Sequence, residues 1–192
     1  RQLGLDDRPL VVSYWGSLGA REMNKKIAEF MRLECADGEP FHHIHATGSF
    51  GWRWMPEYVK DMGIDLAAHP RIDMREYIYD MPQVLAAADL IICRAGAATI
   101  AEVCASGTPC IMVPSPNVTG NHQEKNARVL ERSGAAAVVR EADCDGKSLY
   151  ETAKSILSDA GRMRAMRASA RDMAVVDAAE RIYQTALDLA RH

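Results

Sequence analysis

The sequence lacks a long apolar run, a strong excess of one charge and any cysteine motif. No apolar stretch reaches the roughly 20 residues of a transmembrane helix, and no signal-peptide pattern opens the chain. The formal net charge of -3 argues against the basic surface that nucleic-acid-binding domains present. The five cysteines are odd in number and lack C-x-x-C spacing, which argues against a disulfide framework. We therefore expect a globular protein of a reduced, cytoplasmic compartment that does not bind nucleic acid.

Short β-rich apolar segments alternate with helical segments along most of the chain. The predicted strands cover residues 10–14, 43–46, 72–74, 90–93, 110–113 and 136–139. The predicted helices between them cover residues 20–33, 55–62, 81–88, 99–105 and 122–133, and three more follow at 148–157, 161–173 and 178–189. This alternation predicts an α/β fold with a doubly wound, parallel six-stranded sheet and helices on both faces. The length of 192 residues predicts one domain over 1–192.

In such sheets ligands bind beyond the carboxyl ends of the strands, and the loop after the first strand is Gly16-Ser17-Leu18-Gly19. Its two glycines let the backbone approach a ligand, and Ser17 offers a hydroxyl. The loop matches neither G-x-G-x-x-G nor the G-K-[ST] P-loop, so a dinucleotide cofactor or NTP hydrolysis is not indicated. A simple tight turn is the alternative.

The segment CRAGAATIAE, residues 93–102, places small residues between a strand and a helix. We expect Gly96 in the turn and Ala97, Ala98 and Thr99 at the helix N-terminus. There the free N–H groups and the helix dipole favour an anion, for which a phosphate is the natural candidate. The alternative is a T-x-x-E capping box between Thr99 and Glu102, which requires no ligand.

The segment YIYDMP, residues 77–82, is extended and stops at a helix. Free backbone N–H and C=O groups here suit the edge of a flat base such as uracil, while Tyr77 or Met81 covers its face. The alternative is a connector whose aromatic residues fill the core.

The segment 113–126 forms a stiff loop with two prolines after the fifth strand. It delivers His122, Gln123 and Asn126 at the head of a helix, where imidazole and amide groups suit the hydroxyls of a sugar. A capped surface helix with polar residues in its first turn is the alternative.

Two further patterns invite a metal-site interpretation. Asp143-Cys144-Asp145 reads as D-x-D, but it follows the sixth strand where the chain enters surface helices. His43 and His45 share one face of a strand, but no third and fourth ligand stand at suitable spacing, so a buried strand explains them better. We therefore predict no metal site.

In order, the motifs G-S-x-G, C-R-x-G-A-x-T-x-x-E, V-P and x-Q-x-x-N-A resemble the nucleotide-sugar half of the MurG family, the bacterial undecaprenyl-pyrophosphoryl-muramoyl-pentapeptide N-acetylglucosaminyltransferases. The resemblance covers essentially the whole chain. It implies a Rossmann-like C-terminal half of a GT-B glycosyltransferase that binds UDP-N-acetylglucosamine (UDP-GlcNAc). The family's acceptor-binding N-terminal half, which carries the general base, is not in this sequence.

For the whole enzyme the resemblance implies inverting transfer to a lipid-linked muramoyl-pentapeptide, without metal or cofactor, in the synthesis of the peptidoglycan precursor. It also implies a peripheral position on the inner face of the cell membrane. The isolated domain is expected to bind the donor but not to transfer it, so no catalytic residue is expected here.

By resemblance, Ser17, between Gly16 and Gly19, and Thr99 contact the diphosphate, with the amides of Ala97 and Ala98 nearby. The main chain of Ile78 contacts the uracil edge, flanked by Tyr77 and Met81, and Glu102 accepts from the ribose hydroxyls.

The sugar-facing positions depart from the family pattern. His122 and Gln123 stand where the family usually has two glutamines facing the N-acetylglucosamine ring, with Asn126 following. Arg94 and Gly96 belong to the small turn, as in the family. In the first loop, Trp15 replaces a glycine, which predicts an extended backbone there.

Two other functions remain open at this point. One is a UDP-GlcNAc 2-epimerase on the same fold, which needs acid and base carboxylates around the sugar. The other is a non-catalytic donor-binding subunit that works with a separate membrane partner.

Overall fold

Six parallel strands form the centre of the protein in the computed structural model, which describes residues 4–190. The strands are β1 (Leu10–Tyr14), β2 (His42–Ala46), β3 (Ile72–Arg75), β4 (Leu90–Cys93), β5 (Cys110–Met112) and β6 (Ala136–Val138). They pair in the order β3-β2-β1-β4-β5-β6. The predicted doubly wound sheet is confirmed, and no strand end differs from its prediction by more than one residue.

Nine α-helices occur among the described residues. They are α1 (Arg21–Ala36), α2 (Ser49–Trp52), α3 (Met55–Asp61), α4 (Met81–Ala87), α5 (Ala97–Ser106), α6 (His122–Ser133), α7 (Gly146–Leu157), α8 (Ala160–Asp172) and α9 (Ala178–Ala190). The short helix α2 was not predicted, because four residues carry no helical periodicity. Helix α5 begins two residues before its predicted start, at Ala97, because Gly96 is its N-cap. No helix in residues 4–190 has both the length and the apolar character that crossing a membrane requires.

The sheet is buried on both faces, as a parallel sheet requires. Along β1, Val11 packs in the core layer that α1, α3 and α7 share, whereas Val12 packs in the layer of α4, α5 and α6. The chain therefore leaves β1 toward one face, where α1 lies, and leaves β4 toward the other, where α5 lies. Because β1 and β4 are neighbours, the loops after them diverge and leave a crevice at the point where the strand order reverses.

His43 and His45 are core residues, which confirms the buried-strand interpretation. Both are fully buried, and the hydroxyl oxygen of Ser13 lies 2.8 Å from His43 Nε2 and 2.7 Å from His45 Nδ1. His43 Nδ1 lies 2.9 Å from an oxygen of Glu34, whose side chain is also fully buried. A polar chain, Glu34–His43–Ser13–His45, thus crosses the layer between α1 and the sheet.

The last helix, α9, is largely exposed in the described part of the chain. None of its residues is buried, and Ile182 and Leu189 are 70% and 73% exposed. The apolar face of α9 is therefore not packed on the sheet. The exposed arrangement is the one observed.

Candidate functional site

The loop after β1 turns tightly at the crevice. Gly16 and Gly19 adopt φ of +83° and +78°, a region that residues with a side chain rarely occupy, and the Gly19 N–H donates to the Gly16 carbonyl at 3.1 Å. Ser17 is exposed between them. Trp15 does not have a positive φ, and its ring is buried. The loop thus places an exposed serine at the carboxyl end of β1.

The start of α5 carries unused backbone donors. Its N-cap, Gly96, has no side chain, and the first helical residues, Ala97 and Ala98, are exposed. The predicted alternative of a capping box between Thr99 and Glu102 is wrong, because Thr99 is already the third residue of the helix and no side chain caps its N-terminus. This end of α5 has the free N–H groups and the dipole that bind an anion.

Glu102 lies one turn further along α5, beside an open groove between α4 and α5. The groove has a volume of about 660 Å³ and is lined by Met81, Pro82, Leu85, Ala86, Glu102, Ala105 and Ser106. Within residues 4–190 the Glu102 carboxylate, which is exposed, makes no hydrogen bond or ion pair. A carboxylate without a protein partner beside a groove can accept two hydroxyl donors, such as the two hydroxyls of a ribose.

In the segment before α4, the side chain of Ile78 and its main chain lie in different surroundings. The Ile78 side chain is buried, while its amide and carbonyl make no backbone–backbone hydrogen bond with the described residues. Tyr77 is 46% exposed, and its ring centroid lies 5.2 Å from that of the more exposed Tyr79. The alternative of aromatic residues that fill the core is therefore wrong: Ile78 fills the core, and the tyrosines flank a free peptide edge.

Arg94 and Asn126, both predicted ligand contacts, have protein partners. Arg94 Nη1 donates to the carbonyl oxygen of Val113 at 3.0 Å and lies 2.6 Å from a carboxylate oxygen of Glu141. The Arg94 guanidinium also stands over the Trp15 ring, 5.7 Å from its centroid. Asn126 Nδ2 lies 3.4 Å from the carbonyl oxygen of Ala95. These contacts tie the turn after β4 to the neighbouring loops.

The head of α6 emerges from the stiff loop after β5. Asn121 is the N-cap in a left-handed conformation with φ of 52° and makes no side-chain cap, so the cap in the alternative prediction is wrong, while its polar first turn is present. His122 is exposed, whereas the Gln123 side-chain oxygen accepts from the Ser115 N–H at 2.9 Å. The Gln123 oxygen therefore holds the loop, and the His122 imidazole is the freer group.

A charged depression lies between this loop and α1. It has a volume of about 560 Å³ and is lined by Glu22, Lys26, Pro114, Ser115, Pro116, Asn121, Glu124, Arg140, Glu141 and Ala142. Most of its charges are already paired: Arg94 with Glu141, and Arg140 with Asp143. The depression is lined by α1 and by the loops after β5 and β6.

The D-x-D pattern has a structural role. Asp145 caps α7 by accepting from the Ser148 N–H at 2.7 Å, and the hydrogen bonds of that cap lower the pKa of Asp145. Asp143 pairs with Arg140. Among residues 4–190, no group of three or more His, Cys, Asp or Glu residues is arranged to hold a metal ion.

The sequence interpretation missed the loop after β2. Thr47 and Gly48 are buried, Gly48 has a φ of +75°, and the loop lies directly against Gly19. The signal was present as T-G-S-F-G after a strand, with the same type of glycine spacing as the first loop.

Residues 11–182 match the model of the glycosyltransferase family 28 C-terminal domain. Two curated relatives, both named UDP-N-acetylglucosamine--N-acetylmuramyl-(pentapeptide) pyrophosphoryl-undecaprenol N-acetylglucosamine transferase, are similar to this chain. The one from Acetivibrio thermocellus is 38% identical over 100% of this chain and 51% of its own length. The one from Caldanaerobacter subterraneus subsp. tengcongensis is 41% identical over 92% of this chain and 47% of its own length. The chain thus spans about half the length of the curated relatives it matches.

The fold is that of a solved structure from the same group. MurG of Acinetobacter baumannii superposes with a TM-score of 0.77 at 24% identity, over 95% of this chain and 52% of that one. At this identity the structural likeness supports the fold and not a ligand.

Proposed function

The chain belongs to the family of glycosyltransferase family 28 C-terminal domains, and from this membership we propose that it binds UDP-GlcNAc as the donor half of an inverting N-acetylglucosaminyltransferase. The names of its curated relatives support the choice of sugar and of reaction. The observation that carries the proposal is the uncapped N-terminus of α5 at the point where the strand order reverses, beside the Ser17 loop.

The diphosphate is proposed to lie between the Ser17 loop and the start of α5. Both places offer donors that have no partner among residues 4–190: the Ser17 hydroxyl, and the N–H groups of Ala97, Ala98 and Thr99, joined by the Thr99 hydroxyl. The flanking Gly16, Gly19 and Gly96 keep side chains away from the phosphates. Helix-terminal donors and the positive dipole end stabilise a negative charge without a metal ion.

The nucleoside is proposed to lie along the groove between α4 and α5. Glu102 accepts from the ribose hydroxyls, and the main chain of Ile78 pairs with the uracil edge. Tyr77 and Met81 border the ring on either side. The free carboxylate and the free peptide edge support this placement, because each is a polar group with no partner in the described protein.

At the sugar end, His122 is proposed to contact the hydroxyls of the N-acetylglucosamine ring. Gln123 shares in the contact through its amide nitrogen, since its oxygen is held by Ser115. Arg94 and Asn126 are proposed to act chiefly by holding the turn after β4 in place, because Arg94 Nη1 and Asn126 Nδ2 already have protein partners.

In the whole enzyme, a hydroxyl of the lipid-linked muramoyl-pentapeptide is proposed to attack the anomeric carbon with inversion. The bond from that carbon to the β-phosphate oxygen breaks, and UDP leaves. Donors at the start of α5 meet the growing negative charge, and fixed donors of this kind commonly contribute the largest single part of catalysis. Because the acceptor is a lipid, the whole enzyme is proposed to act at the inner face of the cell membrane. The acceptor site and the general base are proposed to lie in the N-terminal half of that enzyme.

Calorimetric titration of this chain tests the proposal. We expect UDP and UDP-GlcNAc to bind with a dissociation constant near a millimolar, because only one wall of a two-walled cleft is present. Absence of binding at several millimolar ligand would contradict the proposal.

A reconstitution test covers the reaction. With radiolabelled donor and lipid acceptor, transfer is expected only after addition of the N-terminal half of the Acetivibrio relative as a separate protein. Transfer by this chain alone contradicts the donor-half assignment. Formation of the 2-epimer of the sugar nucleotide would favour the epimerase, and donor binding without transfer in the mixture would favour a non-catalytic subunit.

A further inference from the structure

The loop after β2, residues 47–50, connects the two regions that are proposed to hold the nucleotide. At one end it is tied to the segment after β3, since the Thr47 N–H donates to the Arg75 carbonyl at 2.9 Å and the Gly48 N–H to the Glu76 carbonyl at 3.0 Å. Glu76 directly precedes Tyr77 and Ile78. At the other end the same loop holds the Ser17 loop.

The ties to the Ser17 loop are made by backbone atoms. The Ser49 N–H donates to the Ser17 carbonyl at 3.1 Å, and the Phe50 N–H donates to the Leu18 carbonyl at 3.3 Å. Two consecutive peptide planes of the first loop are thereby oriented. Because the Ser17 carbonyl and the Leu18 N–H share one peptide plane, the first of these bonds fixes the direction of the Leu18 N–H and the backbone from which the Ser17 side chain extends.

Steric contact locks the two loops together. A Cβ on Gly48 would lie 2.1 Å from the Gly19 nitrogen, and a Cβ on Gly19 would lie 2.0 Å from the Thr47 carbonyl oxygen. Both contacts are with backbone atoms, which cannot turn aside as a flexible side chain can. Any side chain at either glycine therefore pushes the loops apart.

We call the contact between the loop after β2 and the Ser17 loop the interlock. A buried asparagine connects this interlock to α1. Asn24 is fully buried, and its Nδ2 donates to the Thr47 carbonyl at 2.8 Å. Gly51 makes room for this amide, because a Cβ there would lie 2.3 Å from Asn24 Nδ2. The loop after β2 is thus held from the sheet, from α1 and from the segment after β3.

We propose that residues 47–50 position the phosphate-binding loop and fix its distance from the base-binding segment, with Gly48 and the Ser49 amide as the positioning groups. The inference rests on the proposed function. Preorganised donors avoid the cost of ordering the Ser17 loop when the ligand arrives, so the contacts of Ser49 and Phe50 with that loop contribute chiefly to the affinity for the phosphates.

Two substitutions at one position test the proposal. Ser49 is the first residue of α2, where proline is tolerated by a helix, so Ser49→Pro keeps α2 while it removes the N–H and directs a ring carbon at the Ser17 carbonyl. Ser49→Ala keeps the N–H and is the matched control. We expect Ser49→Pro to weaken UDP binding about tenfold and to leave uridine binding within about twofold, as loss of an oriented hydrogen bond implies. Ser49→Ala should match the unchanged chain for both ligands.

Gly48→Ala, with Gly63→Ala as its control, provides an independent comparison. Both glycines have positive φ, +75° and +81°, but a Cβ on Gly63 meets nothing within 4 Å. Gly48 also has a ψ of 164°, a conformation that residues with a side chain almost never adopt, so Gly48→Ala strains its own backbone and also separates the loops. Gly63→Ala controls for an alanine at positive φ that meets no neighbour. We expect the ratio of UDP to uridine affinity to fall for Gly48→Ala alone.

Hydrogen exchange in the unsubstituted protein tests the proposal without any variant. We expect UDP, but not uridine, to slow hydrogen exchange at the Ser49 and Phe50 amides. The positioning proposal is overturned if UDP leaves that exchange unchanged, or if folded Ser49→Pro retains the UDP-to-uridine ratio of Ser49→Ala. Failure of the unsubstituted chain to bind UDP at all is a different result, which overturns the proposed function instead.

Discussion

The buried chain Glu34–His43–Ser13–His45 makes a specific prediction for Glu34→Gln. The Ser13 carbonyl, which can only accept, lies 3.1 Å from His45 Nδ1, so that nitrogen carries the proton. The Ser13 hydroxyl then donates to His43 Nε2, and His43 Nδ1–H donates to Glu34. Glu34 needs to supply only an acceptor, which the oxygen of a glutamine also supplies.

The directions of the pKa shifts determine the sign of the pH dependence. Burial lowers the pKa of His43 to about 3 and also lowers the pKa of His45, while burial raises the pKa of Glu34. In the unfolded chain these histidines have a pKa of about 6.5 and take up protons below it, whereas in the folded chain they do not. Both histidines therefore lower the free energy of unfolding as the pH falls. Glu34 acts in the opposite direction, because the folded state keeps a proton that the unfolded state releases above about 4.5.

The magnitude follows from linkage. With pKa values of about 6.5 unfolded and about 3 folded, His43 alone removes about 1.3 kcal/mol of stability between pH 7 and pH 5.5. His45 adds to this loss, and Glu34 offsets part of it in the unsubstituted protein. Glu34→Gln removes the offset, so its free energy of unfolding should fall more steeply on acidification. At pH 7 the variant should be at least as stable as the parent, because a buried carboxyl is replaced by a neutral amide.

Urea unfolding at pH 7 and pH 5.5, followed by tryptophan fluorescence, measures both effects. Groups outside the buried chain titrate alike in the two proteins and cancel in the comparison, and exposed Glu57→Gln controls for the substitution itself. If the free energy of unfolding depends on pH equally in the parent and in Glu34→Gln, the assignment of uncharged Glu34 and His43 in the buried hydrogen-bonded chain is refuted. A loss of about 3–5 kcal/mol at pH 7 would indicate a buried ion pair between Glu34 and a charged His43 instead.

Three further predictions concern the candidate site. Glu102→Ala should weaken UDP binding about tenfold or more, through loss of a charged acceptor, with little change in Tm because the carboxylate contacts no described residue; unchanged affinity in calorimetry would remove its ribose role. UDP should outcompete CDP and ADP in displacement titrations, since a mismatched buried polar group costs roughly 1–3 kcal/mol, and equal competition would contradict base recognition at Ile78. Arg94→Ala should lower the free energy of unfolding by roughly 1–3 kcal/mol, because the Val113 carbonyl and Glu141 lose their partner. A fully stable Arg94→Ala protein that no longer binds UDP would show that Arg94 contacts the ligand.

Local pattern in the sequence determined the elements and the main features of the crevice. Strands buried on both faces are short apolar runs, and helices show their own periodicity, so both could be predicted within a few residues. The small residues Gly96, Ala97 and Ala98 predicted an anion-binding helix start, but a capping box between Thr99 and Glu102 remained open, and only the structure shows that α5 begins without a side-chain cap at Ala97. These features depend on residues close together in the chain.

Only the tertiary structure decided how distant segments share polar groups. The interlock of Gly48 with Gly19, and the partners of Arg94 at Val113 and Glu141, bring together residues from different strands. Local propensity carries no record of such contacts, because each depends on the order of strands in the sheet and on the twist that brings their ends together. The buried histidines show the same limit: alternation placed His43 and His45 on one face, but only packing against α1 supplied Glu34 as their partner.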